Sequence, residues 1–135
     1  MKCYYDWAIE TFATMSKACF DCPFNIIDCF RPQCISANGI KRQVVAVNKE
    51  IPGPAIQVCQ KDQVIVNIYN GLRMSESTSI HWHGILQKET PFMDGVGMIT
   101  QCPIEAHSSF QYKYNINTYR NPLHIRPRSF KKKTL

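Results

Sequence analysis

From Cys34 to Ile116 the chain is cut by turn residues into short apolar runs, and this punctuation restricts it to strands. Asn38-Gly39 is a hairpin signal between Ile35 and the run Val44-Val45-Ala46-Val47. Ile51-Pro52-Gly53-Pro54 must be a loop, because two prolines remove two ladder donors. Ala55 to Cys59 then reads as a strand, Gln60 to Gln63 as a turn, and Val64 to Tyr69 as a β-branched strand ended by Asn70-Gly71. A strand containing His81 and His83 follows, then a long loop with Pro91 and Asp94-Gly95. Last comes Phe110 to Ile116, where aromatic and apolar residues alternate with polar ones. Short strands at this spacing predict an all-β antiparallel sandwich.

The 135 residues suit one domain with a real core. The net charge of +6 is unevenly spread. Arg120, Arg126, Arg128, Lys131, Lys132 and Lys133 lie beyond Tyr119 with no acidic residue among them; the remaining ten basic residues match the ten acidic ones. A neutral body with a charged end carries no broad footprint for a polyanion, so no nucleic-acid partner is expected. No apolar stretch is long enough for a membrane span. The segment 118–135 is basic, proline-punctuated and aperiodic, and is expected to be a disordered tail.

Seven cysteines, namely Cys3, Cys19, Cys22, Cys29, Cys34, Cys59 and Cys102, favour an oxidising compartment. A secretory leader is not visible after Met1-Lys2, and the odd count suggests a partner cysteine outside the chain. Segment 1–34 holds the cluster. Cys19, Cys22, Cys29 and Cys34 admit a four-thiolate zinc site or disulfides. The wide second spacing and the absence of flanking glycines favour disulfides, whose connectivity spacing does not decide. Before the cluster, Tyr5 to Met15 admits a helical turn or an extended arm.

His81-Trp82-His83-Gly84 carries the chemistry. On a strand the two imidazoles share a face and Trp82 takes the other. Neutral imidazole is a good ligand for copper, zinc, iron and nickel, so the pair is half of a metal site. HWHG, then TPFMDGV from Thr90, then TQCPI from Thr100, in that order and at those intervals, resemble the first cupredoxin domain of multicopper oxidases, most closely the insect-type laccases. The likeness runs from about Cys19 to Asn117, and the pattern Asp28-Cys29-Phe30-Arg31-Pro32-Gln33-Cys34 belongs to it.

The resemblance implies an incomplete cupredoxin-like Greek-key sandwich over 35–117, with a cysteine-rich extension before it. It also implies copper as cofactor, His81 as a type 2 ligand and His83 as a type 3 ligand. Asp94 would be an acid near the cluster that helps deliver protons; its other reading is a turn residue before Gly95. Cys102 would bond to another domain, while Cys59 is its alternative partner or a small buried residue. Gly97 stands where the family usually has proline, which predicts a looser loop.

The implied parent is extracellular and oxidises diphenols while reducing dioxygen to water, with further cupredoxin domains as partners and a phenolic substrate. After Asn117 the family continues into a second histidine motif, which this chain lacks. Four histidines in all do not complete a copper cluster, so the expected product is a fragment inactive alone. Two alternatives are a stand-alone metal-binding module and a disulfide-stabilised extracellular interaction domain without oxidase activity.

Overall fold

The computed structural model describes residues 1–117 and the backbone of strand residues 124–131. It comprises two compact units, Met1–Ala8 with Ala55–Leu135, and Ile9–Pro54. Six strands run in chain order: β1 Lys2–Ala13, β2 Gln43–Val47, β3 Gln63–Asn70, β4 Glu76–His83, β5 Ser109–Asn115 and β6 His124–Lys131. One sheet has the order β2-β1-β3-β5, and β4 pairs with β6 in a second.

In the first unit, β3 and β5 are antiparallel, with Val64 opposite Tyr114, Val66 opposite Tyr112 and Ile68 opposite Phe110. Alternation places these residues on one face, and all but Phe110 are buried. Trp82 of β4 is fully buried against this wall. Its ring centroid lies 5.3 Å from that of Tyr112, 4.9 Å from that of Tyr114 and 5.8 Å from that of Trp7 in β1. Such offset aromatic pairs add to the large apolar area each ring buries. Asn70 closes β3 as expected: its amide donates to the carbonyls of Ile104 and Glu76, and its Oδ1 accepts from Leu72 N–H.

In the second unit, the later half of β1 pairs antiparallel with β2, from Ile9 opposite Val47 to Ala13 opposite Gln43. The cysteine cluster holds two nested disulfides, Cys19–Cys34 and Cys22–Cys29, in place of a zinc site. A short helix, α1, spans Ile26–Cys29, and Asn25 caps it by accepting from Ile27 N–H. Arg31 binds Asp28 at 2.7 Å and lies 4.1 Å from the Phe20 ring centroid, so the Asp-Cys-x-Arg pattern locks its own loop.

Of the two readings of Tyr5 to Met15 the extended one holds, since the chain is strand through Ala13 and not a helical turn. Three expectations give way. Gly39 does turn the chain, at φ +77° with its N–H donating to Ser36, but β2 pairs with β1 and not with Ile35. The Cys19–Cys34 bridge holds Ile35 where its carbonyl accepts from Met15 N–H, so Ile35 is unavailable as a hairpin arm. Ala55 to Cys59 belongs to neither sheet. It follows the proline loop, and the carbonyl of Gln57 accepts from the Tyr5 hydroxyl at 3.0 Å. In the C-terminal segment, residues 124–131 form β6, register-paired along all of β4, where the sequence suggests no regular structure. Pairing there satisfies a strand edge, which local propensity does not report. Residues 118–123 and 132–135 lie outside the described residues.

Candidate metal centre

Strand β4 sends Ile80 and Trp82 inward and turns His81 and His83 to the opposite face, as the alternation requires. The imidazole centroids are 5.5 Å apart at 77°. His81 is about a quarter exposed and His83 is exposed. The pair is an open face rather than a closed cage.

The Asp94-Gly95 turn sets the state of His81. A short 3-10 turn, Pro91–Met93, brings Asp94 beside β4, where its carbonyl lies 2.8 Å from His81 Nδ1 and accepts from Trp82 N–H at 3.2 Å. The Asp94 carboxylate Oδ2 is 3.5 Å from the same Nδ1. A carbonyl can only accept, so Nδ1 carries the proton and Nε2 keeps its lone pair for a metal. Gly95 permits the approach. It is buried at φ +79°, and an added Cβ would stand 1.6 Å from the Ile80 carbonyl oxygen. Asp94 is therefore both a turn residue and a neighbour of the first histidine.

The remaining histidines and cysteines are placed as follows. His107 is exposed, with Nδ1 3.4 Å from the Tyr69 hydroxyl. His124 stands opposite His83 in the β4–β6 register, a placement that no spacing in the sequence announces. Cys102 is a free, exposed thiol, and Cys59 is also free and exposed, which removes the buried-residue reading for it. Gly97 is buried and bridges to Gln101, and Thr100 Oγ1 accepts from Val96 N–H at 3.0 Å, so the loop is closed by hydrogen bonds without the proline.

Behind the histidines the wall is buried. Ile80 N–H donates to the Tyr112 hydroxyl at 3.1 Å, while Trp82 Nε1 and the Tyr114 hydroxyl are buried with no partner among the described residues. Burial pushes the Tyr112 hydroxyl above its ordinary pKa, opposed in part by the Ile80 hydrogen bond. Burial does the same to Tyr114, with the Tyr5 hydroxyl adding to it.

The donor set fits copper as part of a site. Two neutral imidazoles on one face, the first with its tautomer fixed by a main-chain acceptor, are ligands this metal takes readily. No group of three or more histidine, cysteine or acidic side chains gathers into a metal site among the described residues.

Comparison with known proteins agrees with this geometry. The profile described as multicopper oxidase matches residues 30–124. Laccase-1 of Cryptococcus neoformans var. grubii is 48% identical over 82 residues, covering 61% of this chain and 13% of that protein. Among solved structures, Fet3p, a multicopper oxidase that functions in iron import, superposes with a TM-score of 0.72 at 24% identity. That match covers 94% of this chain and 20% of Fet3p, and at this identity it speaks for the fold alone. The laccase from Botrytis aclada gives a TM-score of 0.66 at 29% identity, over 85% of this chain and 17% of its own. The chain thus spans a fifth or less of these proteins. With the family profile covering most of its length and the cupredoxin architecture shared, this chain belongs to the multicopper oxidase family.

Proposed function

We propose that this chain supplies the first copper-binding domain of a laccase-like multicopper oxidase, with His81 as a type 2 ligand and His83 as a type 3 ligand. One observation carries the reading: a main-chain carbonyl fixes the His81 tautomer, leaving Nε2 as a donor on the same face as His83. Bound copper would supply one-electron chemistry, coupling oxidation of a diphenol to reduction of dioxygen. The protein's part is to hold the first imidazole rigidly, to keep water from the Trp82 side, and to set the Asp94 carboxylate 3.5 Å from Nδ1. There Asp94 orients His81 and can pass protons toward the centre.

The remaining cupredoxin domains of the parent are the partners, and the free, exposed state of Cys102 supports its bonding to one of them. Phe24, Ile27 and Phe30 of the disulfide-linked segment are also widely exposed, apolar surface of the kind that a larger protein covers. The parent acts outside the cell, where its disulfides persist.

The test is copper titration of the intact chain, read by paramagnetic resonance and equilibrium dialysis, with oxygen uptake in the presence of a diphenol. Copper retention is expected to fall at least about tenfold in His81→Ala and in His83→Ala, the scale on which even supporting partners of a metal act. Oxygen uptake should not exceed that of the same copper without protein. Full oxidase turnover by the chain alone would refute the fragment reading, and copper retention unaffected by both substitutions would refute the ligand assignment.

A further inference from the structure

Cys3 and Cys59 converge on one carboxylate. Alternate residues of a strand share a face, so Cys3 and Tyr5 of β1 project together. Both reach the segment that leads into β3. The Tyr5 hydroxyl donates to the Gln57 carbonyl at 3.0 Å, and Cys3 Sγ–H donates to Asp62 Oδ2 at 3.7 Å. Cys59 lies in the chain between these two anchor points, and its own N–H donates to the same Asp62 oxygen at 2.9 Å. The main chain is pinned there as well: Asp62 N–H donates to the Cys59 carbonyl at 3.1 Å, and Gln63 N–H to the Met1 carbonyl at 2.9 Å. Both thiols are free. The Cys3 thiol is pushed up by burial first and then by the Asp62 charge.

We propose that Cys3 and Cys59 form a third disulfide, closed by exchange with an oxidant of the glutathione disulfide class, which leaves Cys102 as the only thiol free for another domain. The chain already carries two disulfides, so it matures where such an oxidant is present. Cys59, the exposed member, attacks the oxidant first and releases one glutathione thiol. Cys3 then attacks the Cys59 sulfur of the mixed disulfide and releases the second. Two protein S–H bonds and one glutathione S–S bond are lost; one protein S–S bond and two glutathione S–H bonds are gained. The protein is oxidised by two electrons and the glutathione disulfide is reduced by the same two.

The bridge would tie the start of β1 to the approach of β3. The same strand carries Trp7, which lies against Trp82 behind the two histidines. The odd cysteine count then resolves into three bridges and one thiol reserved for a partner.

The experiment refolds the full chain in a glutathione redox buffer, blocks thiols with iodoacetamide, and maps linkages by mass spectrometry of non-reducing digests. Only chains that contain the Cys19–Cys34 and Cys22–Cys29 bridges are scored. The expected result is a peptide linking Cys3 to Cys59 and a single adduct, on Cys102. Three adducts on those chains, at Cys3, Cys59 and Cys102, would overturn the proposal, as would a peptide linking Cys102 to either of the others. In Cys102→Ser the linked peptide should persist with no adduct. In Cys3→Ser, Cys59 should become alkylated; if that variant does not fold, the linkage map of the unsubstituted chain decides.

Discussion

At the scale of single residues, the contact that decides the chemistry of His81 is made by backbone. The His81 proton is held by the Asp94 carbonyl, with the carboxylate farther off at 3.5 Å. Two substitutions separate these contributions. Asp94→Asn keeps the carbonyl and the turn, so copper retention should change little, while any proton delivery by the carboxylate is lost in the complete enzyme. Gly95→Ala places a methyl group 1.6 Å from the Ile80 oxygen at a backbone angle that only glycine adopts freely. It should cost at least about 2 kcal/mol and displace the Asp94 carbonyl as well. Denaturant unfolding beside copper dialysis checks both. A copper affinity lost in Asp94→Asn but kept in Gly95→Ala would invert the assignment. The sequence names Asp94 through its motif yet leaves its role divided between turn and acid. Which atom of a residue makes the contact is a matter of tertiary approach, and here the glycine beside it is what permits that approach.

At the scale of elements, legibility followed the source of each strand's stability. β5 alternates exposed and buried residues, so Tyr112 and Tyr114 are legible in its pattern, whereas β3 and β4 also bury Ile65, Ser77 and Ser79 on the other face and are read from a β-branched run and from the histidine motif. β1 carries Trp7 and Ile9 as its core residues, and its pairing with two neighbouring strands decides a run that the sequence leaves between a helical turn and an extended arm. The disulfide reading of the cluster held, whereas the nested pairing was beyond spacing arguments. The core elements also respond to pH. Burial raises the pKa of Tyr112 and Tyr114 above the unfolded value near 10, so each binds its proton more tightly when folded. Their contribution to stability is full below about pH 10 and declines as pH rises through the folded values, by about 1.4 kcal/mol per pH unit for each tyrosine while it stays protonated only in the fold. In an ultraviolet titration, two of the six tyrosines should therefore ionise only with unfolding. All six ionising reversibly near pH 10 in a folded chain would refute this. Tyr112→Phe removes the acceptor for Ile80 N–H beside the histidine strand and should cost about 1–3 kcal/mol, read from the denaturation midpoint.

At the scale of the whole molecule, the histidine strand depends on being covered along its length. One side of β4 is held by side chain and loop: Thr78 exchanges hydrogen bonds with Ile104, Ile80 N–H reaches the Tyr112 hydroxyl, and Trp82 N–H reaches the Asp94 carbonyl. The other side pairs with β6, from Glu76 opposite Lys131 to His83 opposite His124. A strand with an unpaired row of donors and acceptors is a template for another chain, and β4 carries apolar Ile80 and Trp82 between its polar residues. Ending the chain at Asn117 removes β6 and leaves that row open without touching the Trp82 core or the disulfides. The shortened protein should self-associate, with a sedimentation coefficient that rises with concentration, while the full chain stays at one value over the same range. Its copper retention should fall as well, because a second copy paired along β4 would crowd His83. A shortened chain that sediments as a single small species and binds copper like the full one would show that β4 needs no strand on that side. The stability of the histidine face would then rest wholly on the aromatic wall behind it and the Asp94-Gly95 turn.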